Sequence, residues 1–184
     1  MLQEVGELQW LKQKLAMRNS KWTSSDISQA QRSMTYNHKS ALVIVTGQKD
    51  SGKKPLAKQL EMELFRSGKK VYFMGIGNIL YGVDADIQNE EISGAEHFRR
   101  IAEVAHLMLD AGLIIVLTAI HLQSRELEIF QTLIDPSKIH TVWLGQRSIQ
   151  DLPCDLVLEG ESRESDATEI LDYLQCRGVI FDPN

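Results

Sequence analysis

The sequence predicts an α/β protein: a three-layer sandwich around a parallel sheet of about five strands, with a helical extension at the N-terminus. Three observations carry this. Short runs rich in β-branched residues recur along the chain and alternate with segments of helical period. Most of those runs are apolar throughout, so the sheet needs cover on both faces, which helices between parallel strands supply. Finally, 184 residues fit one domain large enough to bury a core without disulfides or metals.

The elements follow in order. Leu2, Val5, Leu8, Leu11 and Leu15 recur at helical spacing opposite Lys12, Gln13 and Lys14, which predicts an amphipathic helix over 2–17. Its apolar stripe packs on its own domain or on another subunit, or serves as a docking element. Residues 18–40 are rich in Ser, Thr, Gln and Asn and read as an irregular lead-in with one short helix at 25–33. Residues 1–40 thus form an N-terminal extension to a domain at 41–184. That domain opens with a strand at 41–45 that stops at a glycine-containing loop. A helix at 55–65 follows, with Leu56, Leu60 and Leu64 on one face, and Gly68 ends it. A second strand is expected at 71–74, a strongly periodic helix at 98–109, and a third strand at 113–117. A helix at 125–133, strands at 140–144 and 154–158, and a closing helix at 167–175 complete the order.

Composition excludes several classes. Apolar residues at 43% and charged residues at 24% are ordinary for a folded globular chain. A net charge of −5 gives no electrostatic reason to bind nucleic acid or an anionic membrane. Cys154 and Cys176 make neither a disulfide framework nor metal-ligand spacing, so a reducing, cytoplasmic compartment is expected. Residues 1–17 lack the apolar run of a secretory signal, and the longest apolar stretch, 112–120, is too short to cross a bilayer.

Gly47-Gln48-Lys49-Asp50-Ser51-Gly52-Lys53 matches G-x-x-x-x-G-K between a strand and a helix, the context a phosphate loop requires. Glycines let the backbone wrap a phosphate, its N–H groups point inward, and the helix N-terminus adds positive potential. Lys53 would reach the outer phosphates as a point charge. The next position calls for a hydroxyl to ligate Mg²⁺, and Lys54 stands there instead. Pro55 then removes one first-turn N–H, harmless to the helix but a donor lost to phosphate. ATP is the candidate nucleotide, and Mg²⁺ is not expected.

From about Trp22 to Trp143, and again near Cys154, the chain resembles the adenylylsulfate kinases. Trp22, Gln31-Arg32, Thr46-Gly47, the run Arg99-Arg100-Ile101-Ala102-Glu103-Val104-Ala105 and Ala111-Gly112-Leu113 carry the likeness, with Asn78, Gly82 and Asp86 in step. The resemblance implies a P-loop NTPase-type fold and transfer of the ATP γ-phosphate to the 3′-hydroxyl of adenylylsulfate. It also implies homodimerisation. The departures fall at the chemistry. After its second strand the family reads Asp-Gly-Asp-Asn-Val-Arg, where this chain reads Gly75-Ile76-Gly77-Asn78-Ile79-Leu80. In the family an aspartate there serves the acceptor hydroxyl and the metal, and the arginine helps hold the sulfonucleotide. The family's substrate-clamping Phe, Arg and Asn fall on Asn89, Gly94 and His97, and its Ile-Ser-Pro turn on Ile120-His121-Leu122. Its basic lid after the fourth strand has no counterpart, since residues 145–153 are too few to close over a nucleotide.

Losing a general base costs about 10²–10⁴-fold, and losing cationic stabilisation of phosphoryl transfer about 10³–10⁵-fold. The expectation is a catalytically impaired protein of sulfate activation that binds a nucleotide or an anion such as phosphate or sulfate, in concert with a sulfate-activation enzyme. Two alternatives stand beside it. One is an active kinase using replacement groups, with Asp50, Asp84, Asp86, His97, His121 and Arg125 as candidates and Asp50 and His121 retained. The other is a structural dimerisation module without nucleotide affinity. Asp84 and Asp86 read as solvated loop acids, and His97 as an ordinary polar residue opening a helix.

Overall fold

The computed structural model describes residues 2–86, 93–120, 122–147, 152, 154–160 and 163–181. Two helices come first, α1 (Leu2–Lys21) and α2 (Gln29–Tyr36), then β1 (Ala41–Gly47), α3 (Lys53–Arg66) and β2 (Val71–Met74). A one-turn helix, α4 (Ile76–Asn78), runs into a π-helical turn at Ile79–Val83. After it come α5 (Ser93–Asp110), β3 (Ile114–Thr118) and α6 (Ser124–Leu133). A 3₁₀ turn (Pro136–Lys138), β4 (Ile139–Leu144), β5 (Leu156–Leu158) and α7 (Ser165–Cys176) complete the order.

The five strands form one sheet in the order β2-β3-β1-β4-β5, every pair parallel. β1 lies at the centre, with Leu42 registered against Ile115 on one side and Ile139 on the other. All seven of its residues are buried, yet successive side chains serve opposite layers because strand side chains alternate. Leu42 and Ile44 join Ile101, Ala105, Leu109 and Phe130 of α5 and α6, whereas Val43 and Val45 join Leu56, Leu60, Leu64, Ile170 and Leu174 of α3 and α7. The predicted fold class holds.

The N-terminal region is more ordered than composition suggests. α1 runs on to Lys21. Its Leu11 is buried in the α5–α6 layer, and Arg18 donates to Glu103 at 2.9 Å and to the Leu133 carbonyl at 3.2 Å. The short helix expected at 25–33 begins four residues later and ends at Tyr36. Ser28 is its N-cap, with a reciprocal capping box to Gln31. Gln29 Nε2 donates to the carbonyls of Leu109 and Asp110 at the end of α5, where Leu109 also accepts from the Gly112 N–H. Gly112 permits this seating. Its φ is +90°, and a Cβ there would come within 2.9 Å of Tyr36 and 3.1 Å of Arg32.

Candidate functional site

The phosphate loop sits at the carboxyl ends of β1, β3 and β4, where open parallel sheets place ligands. Gly47 turns the chain out of β1 at φ +137°, with its Cα so close to β4 that a Cβ would lie 2.2 Å from the Leu144 carbonyl oxygen. Asp50 and Gly52 follow in left-handed backbone, at φ 60° and 89°. That conformation suits glycine and is tolerated by aspartate. The loop is tied to its neighbours: Thr46, fully buried, accepts at Oγ1 from the Leu122 N–H at 2.9 Å, and the Ala119 N–H donates to the Val45 carbonyl at 3.0 Å.

Lys53 opens α3 and folds back over the loop. Its ammonium donates to the Gln48 carbonyl and to Ser51 Oγ at 3.3 Å. The side chain is nearly buried, and that desolvation holds its pKa below the usual lysine range while the Asp50 carboxylate opposes the shift. A desolvated cation at a glycine-containing loop and a helix N-terminus is an anion-binding arrangement.

The loop divides two cavities and contributes Lys49, Asp50, Ser51 and Gly52 to each. One, of about 660 Å³, is completed by Gly145, Gln146 and Gly160 beyond β4 and β5. The other, of about 510 Å³, is completed by Lys53, Lys54, Pro55, Ile76, Thr118, Ala119 and Ile120. Gly145, Gln146 and Gly160 were missed in the sequence. The available signal was a glycine directly after a buried parallel strand, here Gly145 at φ +105°, whose N–H donates to the Leu158 carbonyl at 2.9 Å.

Residues 39–166 match the model of the adenylylsulphate kinase family. This chain belongs to that family. An adenylyl-sulfate kinase of Staphylococcus epidermidis is 33% identical over 122 residues, which cover 66% of this chain and 61% of that protein. The bifunctional enzyme NodQ of Rhizobium tropici is 39% identical over 98 residues, 53% of this chain but 16% of NodQ. The chain thus spans less than two thirds of the length of these relatives. A mutant of the APS kinase CysC from Mycobacterium tuberculosis superposes with a TM-score of 0.65 at 25% identity, covering 75% of this chain and 99% of that one.

At Gly75 and Gly77 the backbone imposes no glycine. Gly75 has φ −73° and ψ 128°, and a Cβ there would meet only ordinary contacts at 3.5 Å or more. No described atom would lie within 4 Å of a Cβ on Gly77. Lys54 is exposed in the first turn of α3 and lines the second cavity. Lysine offers no oxygen, and no group of three or more His, Cys, Asp or Glu among the described residues is placed to hold a metal ion.

Of the remaining residues singled out in the sequence, Ile120 lines the second cavity, while Asn78 and Leu80 are exposed beside it without lining it. Asn89 and His121 lie outside the described residues. His97 faces away from solvent towards Asp84, with Nδ1 2.5 Å from Asp84 Oδ2. This corrects the reading of Asp84 as a solvated loop acid. Its side chain is 3% exposed, and among the described residues Oδ1 has no hydrogen-bond partner and lies 3.7 Å from Arg100 Nη1. Asp86 is exposed as expected but is paired, accepting both Nη atoms of Arg100, which also reaches Glu96 and the Val83 carbonyl. The hydrogen bonds from Arg100 hold the Asp86 carboxyl below the usual range, and those led by Arg99 do the same for Glu96. These groups pin the segment after β2 to the first turns of α5. No helix among the described residues is long and apolar enough to cross a membrane.

Proposed function

We propose that this member of the adenylylsulfate kinase family is catalytically impaired and works by binding: its phosphate loop holds an adenine nucleotide, phosphate or sulfate, and the occupied domain regulates or assembles with a sulfate-activation enzyme. The observation that carries the reading is the pair Gly75 and Gly77. Both stand where phosphoryl transfer needs carboxylates, and both occupy backbone that would accept them, so no steric demand of the fold accounts for the missing acids. Lys54 adds a positive charge where a metal-ligating oxygen would stand. Catalysis of this kind is positioning plus neutralisation of charge, and the losses fall on both. What supports retained binding is the loop itself, with its three positive-φ residues and its desolvated Lys53. Homodimerisation is proposed from the family resemblance, and a cytoplasmic location from the cysteine content.

Calorimetric titration with ATP, ADP and adenylylsulfate, with and without Mg²⁺, tests this beside a product assay. Binding should be insensitive to Mg²⁺ and produce no ADP. Mg²⁺-dependent ATP binding with product formation that disappears in Lys53→Ala would overturn the proposal, and no affinity for any nucleotide, phosphate or sulfate would reduce the chain to a structural module.

A further inference from the structure

The second cavity differs in character from the first. Among the described residues its wall beyond the loop is Lys54, Pro55, Ile76, Ala119 and Ile120, with Thr118 as an added hydroxyl. Ile120 is 62% exposed just beyond the end of β3 and adds apolar surface to this wall. The loop and the first turn of α3 contribute Lys49, Lys53 and Lys54, which outnumber the single acid, Asp50. Lys49 and Lys54 make no ion pair among the described residues. The lysines attract an anion, and the wall gains from apolar surface.

A nucleoside is a poor match for that wall. Its ribose hydroxyls and base edges need hydrogen-bonding partners, and neither Gly75 nor Gly77 brings a side chain to this end of β2. Polar groups buried there without partners would oppose binding. The volume of about 510 Å³ suits a small molecule. We infer that this cavity takes a phosphate or sulfate monoester with an apolar body, its tetrahedral head at the Lys53–Lys54 end and its body against Ile76, Ala119 and Ile120. The inference rests on the anion-binding reading of the phosphate loop and names the ligand class for its second side.

Titration of the full chain with inorganic phosphate, sulfate, phenyl phosphate, phenyl sulfate and ATP tests it. At least one aryl ester should bind ten-fold or more tightly than its parent anion, and which one does so identifies the preferred head. Ile120→Asp, at an exposed position that leaves the core intact, should collapse that ratio to about one, with an unchanged unfolding midpoint showing that the variant is folded. A ratio near one in the unaltered protein, with phosphate or ATP still bound, overturns this inference alone. A ratio that survives Ile120→Asp also overturns it. Failure of every anion to bind overturns the phosphate-loop reading and this inference together.

Discussion

Asp84 is a buried carboxylate whose side-chain hydrogen bond among the described residues is to His97, and His97→Leu removes that partner. In the native protein, Asp84 Oδ2 lies 2.5 Å from His97 Nδ1, and Oδ1 lies 3.7 Å from the Arg100 guanidinium. Stripping one member from a buried pair costs roughly 3–5 kcal/mol because the remaining charge is left uncompensated. His97 is 16% exposed and Arg100 remains in reach, which argues for the lower end, about 3 kcal/mol. For a chain of 184 residues this corresponds to a fall in Tm of about 6–12 °C. Asp84→Asn keeps an acceptor for His97 and should cost less, about 1 kcal/mol. The double variant Asp84→Leu/His97→Leu replaces a buried pair with apolar volume and should recover most of the loss. Urea unfolding of the parent, His97→Leu, Asp84→Leu and the double variant, read as a double-mutant cycle, gives the coupling directly. If His97→Leu alone stays within about 0.5 kcal/mol of the parent, or the double variant is as unstable as the single, Asp84 is not a buried charge dependent on His97 and the argument fails.

Gly47→Ala should cost about 2–4 kcal/mol and abolish phosphate affinity, since it combines an unfavourable φ with a Cβ driven into the Leu144 carbonyl; a titration retaining affinity would refute the loop geometry. By contrast, Gly75→Asp/Gly77→Asp should fold with a Tm within about 3 °C of the parent, because both positions have ordinary backbone and room. Burial holds the His38 pKa below its ordinary value, and the neutral ring accepts from the Lys70 N–H at Nε2 (2.9 Å) while Nδ1 donates to the Lys39 carbonyl. The unfolded chain takes up that proton first, so the contribution is present above about pH 6.5 and lost as pH falls towards and through the folded value. Urea midpoints between pH 7 and 5 should decline, and His38→Gln should flatten the decline. Leu11→Ala should cost about 2–3 kcal/mol and speed amide exchange across α1, if the helix is held by the α5–α6 layer.

The five strands, the glycine loop and most helices were legible in the sequence because each is written in local pattern. The run at 41–45 is apolar on both faces, Leu56, Leu60 and Leu64 share a helical stripe, and Gly47 to Lys53 is a contiguous motif. The glycines at 75 and 77 and the lysine at 54 were equally visible, since each is a residue identity at a fixed distance from that motif. The signal for α2 was also present, in the Ser28–Gln31 capping box, but the polar composition of the segment masked it.

Tertiary structure decided what depended on distant neighbours. Asp84 and Asp86 stand two residues apart in one loop and look alike in sequence, yet the first turn of α5 buries one against His97 and leaves the other in solvent with Arg100. Gly145, Gln146 and Gly160 reach the phosphate loop only because β4 and β5 stack beside β1. The apolar wall of the second cavity likewise gathers Pro55, Ile76 and Ile120 from three segments. Burial and proximity are properties of packing between elements, and local spacing carries no record of them.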